Sequence, residues 1–245
     1  MKNYAVVQHN YSEFLGLIEN QLEVRDTGFS YIRPFVDQDM PGSAIHYDAL
    51  FILGASWPLT DEEHLPWMDD ELRLLSSFLA AERPVIGLGY GAQLIAKHAG
   101  GQATAEPFHH AYWTRAHKTT AGEGDLVAEA MDGRRVLVMC NGSVSLPEGL
   151  EPVLVDEQGR WLAIRPQPQM YGLLFRPELK PGMIEDMIME ADRPTPDDIA
   201  EILQTARDEW QQSQLTTDQL LIALVKTLEL MKERRKPPVF HLKQE

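Results

Sequence analysis

The segment with the clearest chemical potential is a glycine-rich turn at residues 87–91, which reads Gly-Leu-Gly-Tyr-Gly. It follows a short apolar run and precedes a helical pattern that begins near Ala92. Where a strand turns sharply into a helix, one residue is exposed above the sheet edge, and the first helical amides can bind an anion or oxyanion. A nucleophile elbow of this kind needs Ser or Cys at its apex, and the apex here is Gly89.

The elements that must position this turn alternate between strands and helices. Apolar runs predict strands at 4–8, 29–36, 47–53 and 84–88. Apolar residues at helical spacing predict helices at 12–24, 69–82 and 92–98. This alternation is typical of a parallel α/β sheet. Further short strands are predicted at 136–140, 153–155, 161–164 and 171–175, and helices after Pro181.

Four segments, in order along the chain, resemble the signatures of class I glutamine amidotransferase domains. Residues 87–93 are similar to the family's Gly-x-Cys-x-Gly-x-Gln, and residues 175–178, Phe-Arg-Pro-Glu, are similar to its Phe-His-Pro-Glu. Gly54-Ala55 matches the oxyanion loop, and residues 141–147 match a loop that ends in Leu-Pro. The resemblance spans about residues 3–190 and implies a doubly wound, mostly parallel sheet of the flavodoxin-like type.

The departures from the family fall on the positions that the resemblance marks as catalytic. Gly89 stands in place of the cysteine nucleophile and Arg176 in place of the histidine base, while Glu178 retains the orienting carboxylate. Glycine offers no nucleophile, and arginine stays protonated and accepts no proton. Because such residues act as a unit, losing two should abolish glutamine hydrolysis. The sequence therefore predicts a member without glutaminase activity that acts as a binding, regulatory or partner subunit.

The pocket around these positions retains its supporting residues. Those that match the family's substrate and oxyanion positions are Gly54, Ala55, Tyr90, Gly91 and Gln93. With Arg176 present, two interpretations stay open. Either the pocket binds glutamine or an anionic small molecule, or an Arg176–Glu178 ion pair fills it.

Two catalytic alternatives also stay open, so the sequence leaves undecided whether the chain is an enzyme. One is altered hydrolase or transferase chemistry in the same pocket, with water or Glu178 as base. The other is an active amidotransferase whose nucleophile, Cys140, reaches Gly89. Cys140 follows an apolar strand, which predicts a buried and unreactive thiol.

The histidines at positions 109, 110 and 117 lie near Glu106 and suggest a metal site. They lack the i, i+4 spacing of helical zinc ligands, so histidines of a surface loop are the favoured interpretation. No metal and no cofactor are therefore expected.

Composition excludes several classes of partner. The 245 residues include 22 Lys and Arg against 37 Asp and Glu, a formal net charge of −15, which opposes binding to nucleic acid or an anionic membrane. A single cysteine excludes an internal disulfide. Apolar stretches are shorter than the roughly 18–20 residues that span a bilayer, and a cytoplasmic location is predicted.

Two units are expected along the chain. Residues 1–190 form the amidotransferase-like domain, and residues 191–245 form an acidic helical extension that ends in a basic tail. A leucine stripe between Leu220 and Met231 is predicted to pack on the main domain. A homodimer surface or a synthetase-type protein partner is the alternative for that stripe.

Overall fold

The structure is a computed structural model that describes residues 2–191 and 195–232, within which ten strands and seven α-helices form. The strands are β1 (Lys2–Val7), β2 (Thr27–Ile32), β3 (Ala49–Ile52), β4 (Val85–Leu88), β5 (Gln102–Arg115), β6 (His117–Lys118), β7 (Arg135–Ser145), β8 (Leu154–Val155), β9 (Trp161–Gln167) and β10 (Met170–Leu173). The helices are α1 (Leu17–Val24), α2 (Met68–Ala80), α3 (Tyr90–His98), α4 (Leu126–Met131), α5 (Pro181–Glu190), α6 (Ile199–Asp208) and α7 (Trp210–Thr227). Most of the predicted basic tail lies outside the described residues.

Eight strands form the main sheet, in the order β2-β1-β3-β4-β10-β9-β8-β6. The first five run parallel to one another, and β9, β8 and β6 extend the sheet in antiparallel pairs. Ligands of such doubly wound sheets bind beyond the carboxyl ends of the parallel strands. The predicted mostly parallel, doubly wound α/β fold is confirmed.

Apolar packing on both faces explains why the central strands read as continuous hydrophobic runs. Along β1, Tyr4 and Val6 contribute to one core cluster, and Ala5 and Val7 contribute to the cluster on the opposite face. Every residue of β3 is fully buried. The sheet is therefore a two-sided support that holds its strand ends in fixed positions.

The C-terminal helices pack directly on this support. Leu220, Leu221 and Leu224 of α7 are buried in the same core cluster as Tyr4 and Val6. The side chain of Thr217 donates a 2.7 Å hydrogen bond to the carbonyl of Pro177. Helix α7 therefore helps to position the segment at 175–178.

The longest strand was not predicted. β5 pairs antiparallel with β7 and forms a two-stranded ribbon separate from the main sheet. His109 and His110 lie in β5 and His117 lies in β6, so the expectation of histidines in a surface loop was wrong. The ribbon brings His110 opposite Cys140, which places both residues beside the strand ends.

Candidate functional site

The predicted turn has the backbone of a nucleophile elbow. Gly89 adopts φ 55° and ψ −110°, a conformation that L side chains rarely adopt, and it precedes the first residue of α3. Its amide donates to the carbonyl of Leu173 on β10. Gly91 lies so close to Ile52 of β3 that a Cβ on it would overlap the Ile52 backbone. The tight packing of the turn is thus intact without a nucleophile at its apex.

The space that a side chain on residue 89 would use is filled by Arg176. A Cβ built on Gly89 would lie 2.8 Å from Cδ of Arg176, and one built on Gly54 would lie 2.6 Å from Nη2 of the same guanidinium. A Cβ on Gly54 would also overlap the carboxylate of Glu13. Glycine at both turns is therefore what allows Arg176 to lie between them.

Two buried carboxylates hold this guanidinium. Nε of Arg176 donates to Glu178 over 2.6 Å, and Nη2 donates to Glu13 over 2.6 Å. Nη1 donates to the carbonyl of Met139 over 3.0 Å. The side chains of Arg176, Glu13 and Glu178 are at most 2% exposed. Because an unpaired buried charge is costly, each of the three groups depends on the others.

Burial and neighbouring charges shift the pKa values of both Glu178 and Arg176. Burial raises the pKa of Glu178, and the positive charge of Arg176 only partly opposes this. Burial alone would lower the pKa of Arg176, but the charges of Glu178 and Glu13 outweigh it and raise that pKa. Arg176 therefore remains a cation and is unable to act as a base.

Glu13 was not among the residues singled out from the sequence. Its backbone amide donates to Oδ1 of Asn10 over 2.8 Å, and its Oε1 accepts from Nδ2 of Asn10 over 2.6 Å. It lies in the loop between β1 and α1, at the carboxyl edge of the sheet. The only signal in the sequence was a carboxylate shortly after a parallel strand.

A second buried network orients the turn at Gly54-Ala55. The Nδ1 atom of His9 lies 2.8 Å from the Gly54 carbonyl, and its Nε2 lies 2.8 Å from Glu71. Tyr90 donates to the other oxygen of Glu71 over 2.8 Å. Both ring nitrogens of His9 face oxygen atoms, an arrangement that favours the imidazolium form. Burial lowers its pKa, but the carboxylate of Glu71 outweighs burial and raises it.

This network leaves the amide groups at the site available. Because the Gly54 carbonyl points to His9, the amide of Ala55 in the same peptide points the other way. Within the described residues, the amides of Ala55 and Tyr90 have no hydrogen-bond acceptor. They are the two groups that the resemblance assigns to an oxyanion hole.

Other predicted residues have structural partners. Gln93 is buried and its Nε2 donates to the carbonyl of Gly142 over 2.9 Å. The same nitrogen lies 3.6 Å from the sulfur of Cys140, so the thiol is near the elbow despite its distance in sequence. Burial raises the pKa of Cys140 to about 12, which leaves little thiolate at neutral pH. The phenol of Tyr90 is fixed to Glu71, and burial raises its pKa well above the usual value.

A cavity of about 330 Å³ opens above the cluster. Arg176, Glu13, His9 and Ala55 form its buried end. Its half-exposed walls include Phe35, Trp57, Trp67 and His110. Across residues 2–191 and 195–232, no group of three or more His, Cys, Asp or Glu side chains is arranged to hold a metal ion. No helix in those ranges is long and apolar enough to cross a membrane.

A strained turn between a central parallel strand and a helix, beside an amide-lined turn on the neighbouring strand, defines an α/β protein of the nucleophile-elbow class. The sequence profile described as Glutamine amidotransferase class-I matches residues 6–192. The chain therefore belongs to the class I glutamine amidotransferase family.

Comparison with known proteins agrees with this assignment. The glutamine amidotransferase of Methylobacillus flagellatus has the same fold over 100% of both chains, with a TM-score of 0.79 and 21% identity. A glutamine amidotransferase of Thermotoga maritima covers 93% of this chain and 98% of its own, with a TM-score of 0.77 and 20% identity.

Among curated relatives, the glutamine-hydrolysing GMP synthase of Campylobacter hominis is 28% identical over 109 residues. The match covers 44% of this chain and 21% of that protein. The chain spans less than half the length of the curated relatives that it matches.

Proposed function

We propose that this chain is a class I glutamine amidotransferase-like protein that does not hydrolyse glutamine and acts as a binding or regulatory subunit. The observation that carries the proposal is the position of Arg176. Its side chain lies where a nucleophile on residue 89 would project, and it is the cation at the place of the family's base. One arginine therefore occupies the space of the nucleophile and the position of the base.

The pairing of Arg176 also weighs against altered chemistry with Glu178 as base. Oε1 of Glu178 accepts from Nε of Arg176, and the whole side chain is buried. Cys140 is disfavoured as a substitute nucleophile because burial raises the pKa of its thiol to about 12. Glu178 lies outside the lining of the cavity and the thiol of Cys140 stays protonated at neutral pH, which disfavours both alternatives.

A protein partner is part of the proposal. The name of the Campylobacter hominis relative describes a synthase that hydrolyses glutamine, and the matched segment is 21% of that protein. We infer that this chain keeps the fold of such a segment and works with a synthetase-type partner or as a homodimer in the cytoplasm. The net charge of −15 disfavours nucleic acid and anionic membranes as partners.

The test is ammonia release from glutamine by the purified chain, with the Cys140→Ser variant beside it. The proposal predicts no ammonia above the background of a heat-inactivated sample for either protein. Ammonia release that Cys140→Ser abolishes would overturn the proposal and establish the unconventional nucleophile. Release that persists in Cys140→Ser would overturn it in favour of altered chemistry in the same pocket.

A further inference from the structure

The walls of the cavity above Arg176 are built from flat rings. Trp57 stacks on His64 with ring centroids 3.6 Å apart and planes 11° from parallel. Trp67 stacks on His9 at 6.3 Å, and Phe35 adds a third aromatic ring to the lining. Stacked partners fix the orientation of the two tryptophans, so a flat molecule can pack on them with little loss of side-chain freedom. A volume of about 330 Å³ suits a small ligand.

Beside the Glu13 carboxylate, the buried end of the cavity holds several hydrogen-bond donors without acceptors within residues 2–191 and 195–232. A guanidinium has five N–H groups, and three of those on Arg176 donate to Glu178, Glu13 and the Met139 carbonyl. Among the described residues, the other two N–H groups of Arg176 have no acceptor. The amide of Ala55 has none there either. Nε1 of Trp67 is likewise buried without a partner there. An acceptor on a ligand, such as a carbonyl oxygen, would satisfy these donors.

The charged side chains around the cavity carry no net positive charge. Arg176 is flanked by two carboxylates, and the His9 imidazolium is paired with Glu71. Glu190 adds a further acid to the lining. Burial lowers the pKa of His110, which keeps that ring neutral. An anion would meet Glu13 beside the guanidinium, so an uncharged acceptor is favoured over a carboxylate.

We propose that this cavity binds an uncharged, planar molecule that carries a carbonyl or carboxamide group. The ring of the ligand packs on Trp57 and Trp67, and its oxygen accepts from Arg176 and from the amide of Ala55. This departs from the anionic small molecule, one of the ligands that the sequence left open, because that interpretation counted Arg176 without Glu13. It rests on the proposed function in one respect, since the ligand lies above an Arg176 that fills the catalytic position.

The test uses two probes of nearly equal shape, benzamide and benzoate. The chain has five tryptophans, two of which line the cavity while Trp113, Trp161 and Trp210 lie outside it. Fluorine NMR of the 5-fluorotryptophan-labelled full-length protein resolves them in one titration. Benzamide is expected to shift the Trp57 and Trp67 signals with saturation and to leave the other three unchanged. Benzoate is expected to bind at least about tenfold more weakly, a difference of about 1.4 kcal/mol.

Two variants sharpen the result. Trp57→Ala removes a wall of the cavity and should abolish saturable binding, whereas His117→Ala, an exposed residue of β6, should leave the affinity unchanged. Equal or tighter binding of benzoate would overturn the charge argument. Shifts at all five tryptophans, or no shifts, would overturn the site itself, and this holds even if Trp57→Ala fails to fold. Ammonia release by the wild type would overturn the proposed function separately, since the titration does not measure hydrolysis.

Discussion

The site has a backbone half and a side-chain half, and the two differ in what holds them in place. The backbone half comprises the turn at Gly54-Ala55 and the elbow at Gly89, where the amides of Ala55 and Tyr90 have no acceptor in the part of the chain that the structure describes. The side-chain half, comprising Glu13, Arg176 and Glu178, holds a buried ion cluster where the family has its base and orienting acid. The difference teaches that close packing against the core fixes the two glycine turns, whereas the positions of Glu13, Arg176 and Glu178 depend on their pairing with one another.

The largest loss of stability is expected when the ion cluster of the side-chain half loses its arginine. Arg176→Met leaves the carboxylates of Glu13 and Glu178 without their buried counter-ion. The free energy of unfolding should fall by about 3–5 kcal/mol, measured by urea denaturation at pH 7. Adding Glu13→Gln and Glu178→Gln to this variant should recover most of the loss. If Arg176→Met alone were as stable as the wild type, the cluster would not be the coupled unit described.

The next largest loss of stability is expected from a substitution at the contact between the two halves. Gly89→Ala introduces a Cβ into a positive-φ position that also lies 2.8 Å from Cδ of Arg176. The backbone conformation alone should cost about 1–2 kcal/mol, and the overlap with Arg176 should add to it.

Gly159→Ala is the matched control for this effect. Gly159 has φ +77°, and no atom lies within 4 Å of its Cβ position. It should show only the conformational cost, so equal losses of unfolding free energy for the two variants would argue against close packing of Arg176 on the elbow.

A smaller effect is expected for the helix that supports the side-chain half. Thr217→Val removes the hydroxyl that donates to the carbonyl of Pro177 and retains the volume of the side chain. We expect a loss of about 1 kcal/mol in thermal or urea unfolding. Thr216→Val serves as the control, because its hydroxyl makes only a 3.4 Å contact with Gln212. A larger loss in the control would show that α7 does not act through Pro177.

The smallest effect concerns the pH dependence of the backbone half. The folded pKa of His9 is raised above its ordinary value of 6.5, so its stabilising charge is fully present below pH 6.5 and is lost as pH rises through the folded pKa. The free energy of unfolding should therefore decline over that window, and His9→Gln should flatten the profile. The folded pKa of Glu178 is also raised, so its contribution to the free energy of unfolding declines from about pH 4.5 upward. The difference between the wild-type and His9→Gln profiles therefore isolates the contribution of His9. Parallel profiles would contradict the assignment of an imidazolium.

The same contrast explains what the sequence could predict. Glycines 87, 89 and 91 predicted the elbow because Gly87 and Gly91 lie against neighbouring backbone atoms and Gly89 has a positive φ. The continuous apolar runs of β3 and β4 predicted a buried parallel sheet for a similar reason. Both features depend on residues that are close together in the sequence, so residue spacing predicts them.

Glu13 and β5 escaped prediction because their partners are distant in sequence. Glu13 meets Arg176 across 163 residues, and no spacing rule connects the two. Strand β5 contains Pro107 and polar residues, and it is stabilised by its pairing with β7 rather than by burial in the main sheet. The resemblance to the family supplied the role of position 176, but it did not supply the second carboxylate that neutralises Arg176.

We propose that Arg176 fills the place of a nucleophile on residue 89 and stands where the family has its base. Ammonia release from glutamine by four proteins tests it most directly: the wild type, Gly89→Cys, Arg176→His, and the double variant. We expect no release by the wild type or either single variant, and measurable release by the double variant, in which the thiol has both room and a base. Release by Gly89→Cys alone at the rate of the double variant would contradict the account, and so would an active wild type.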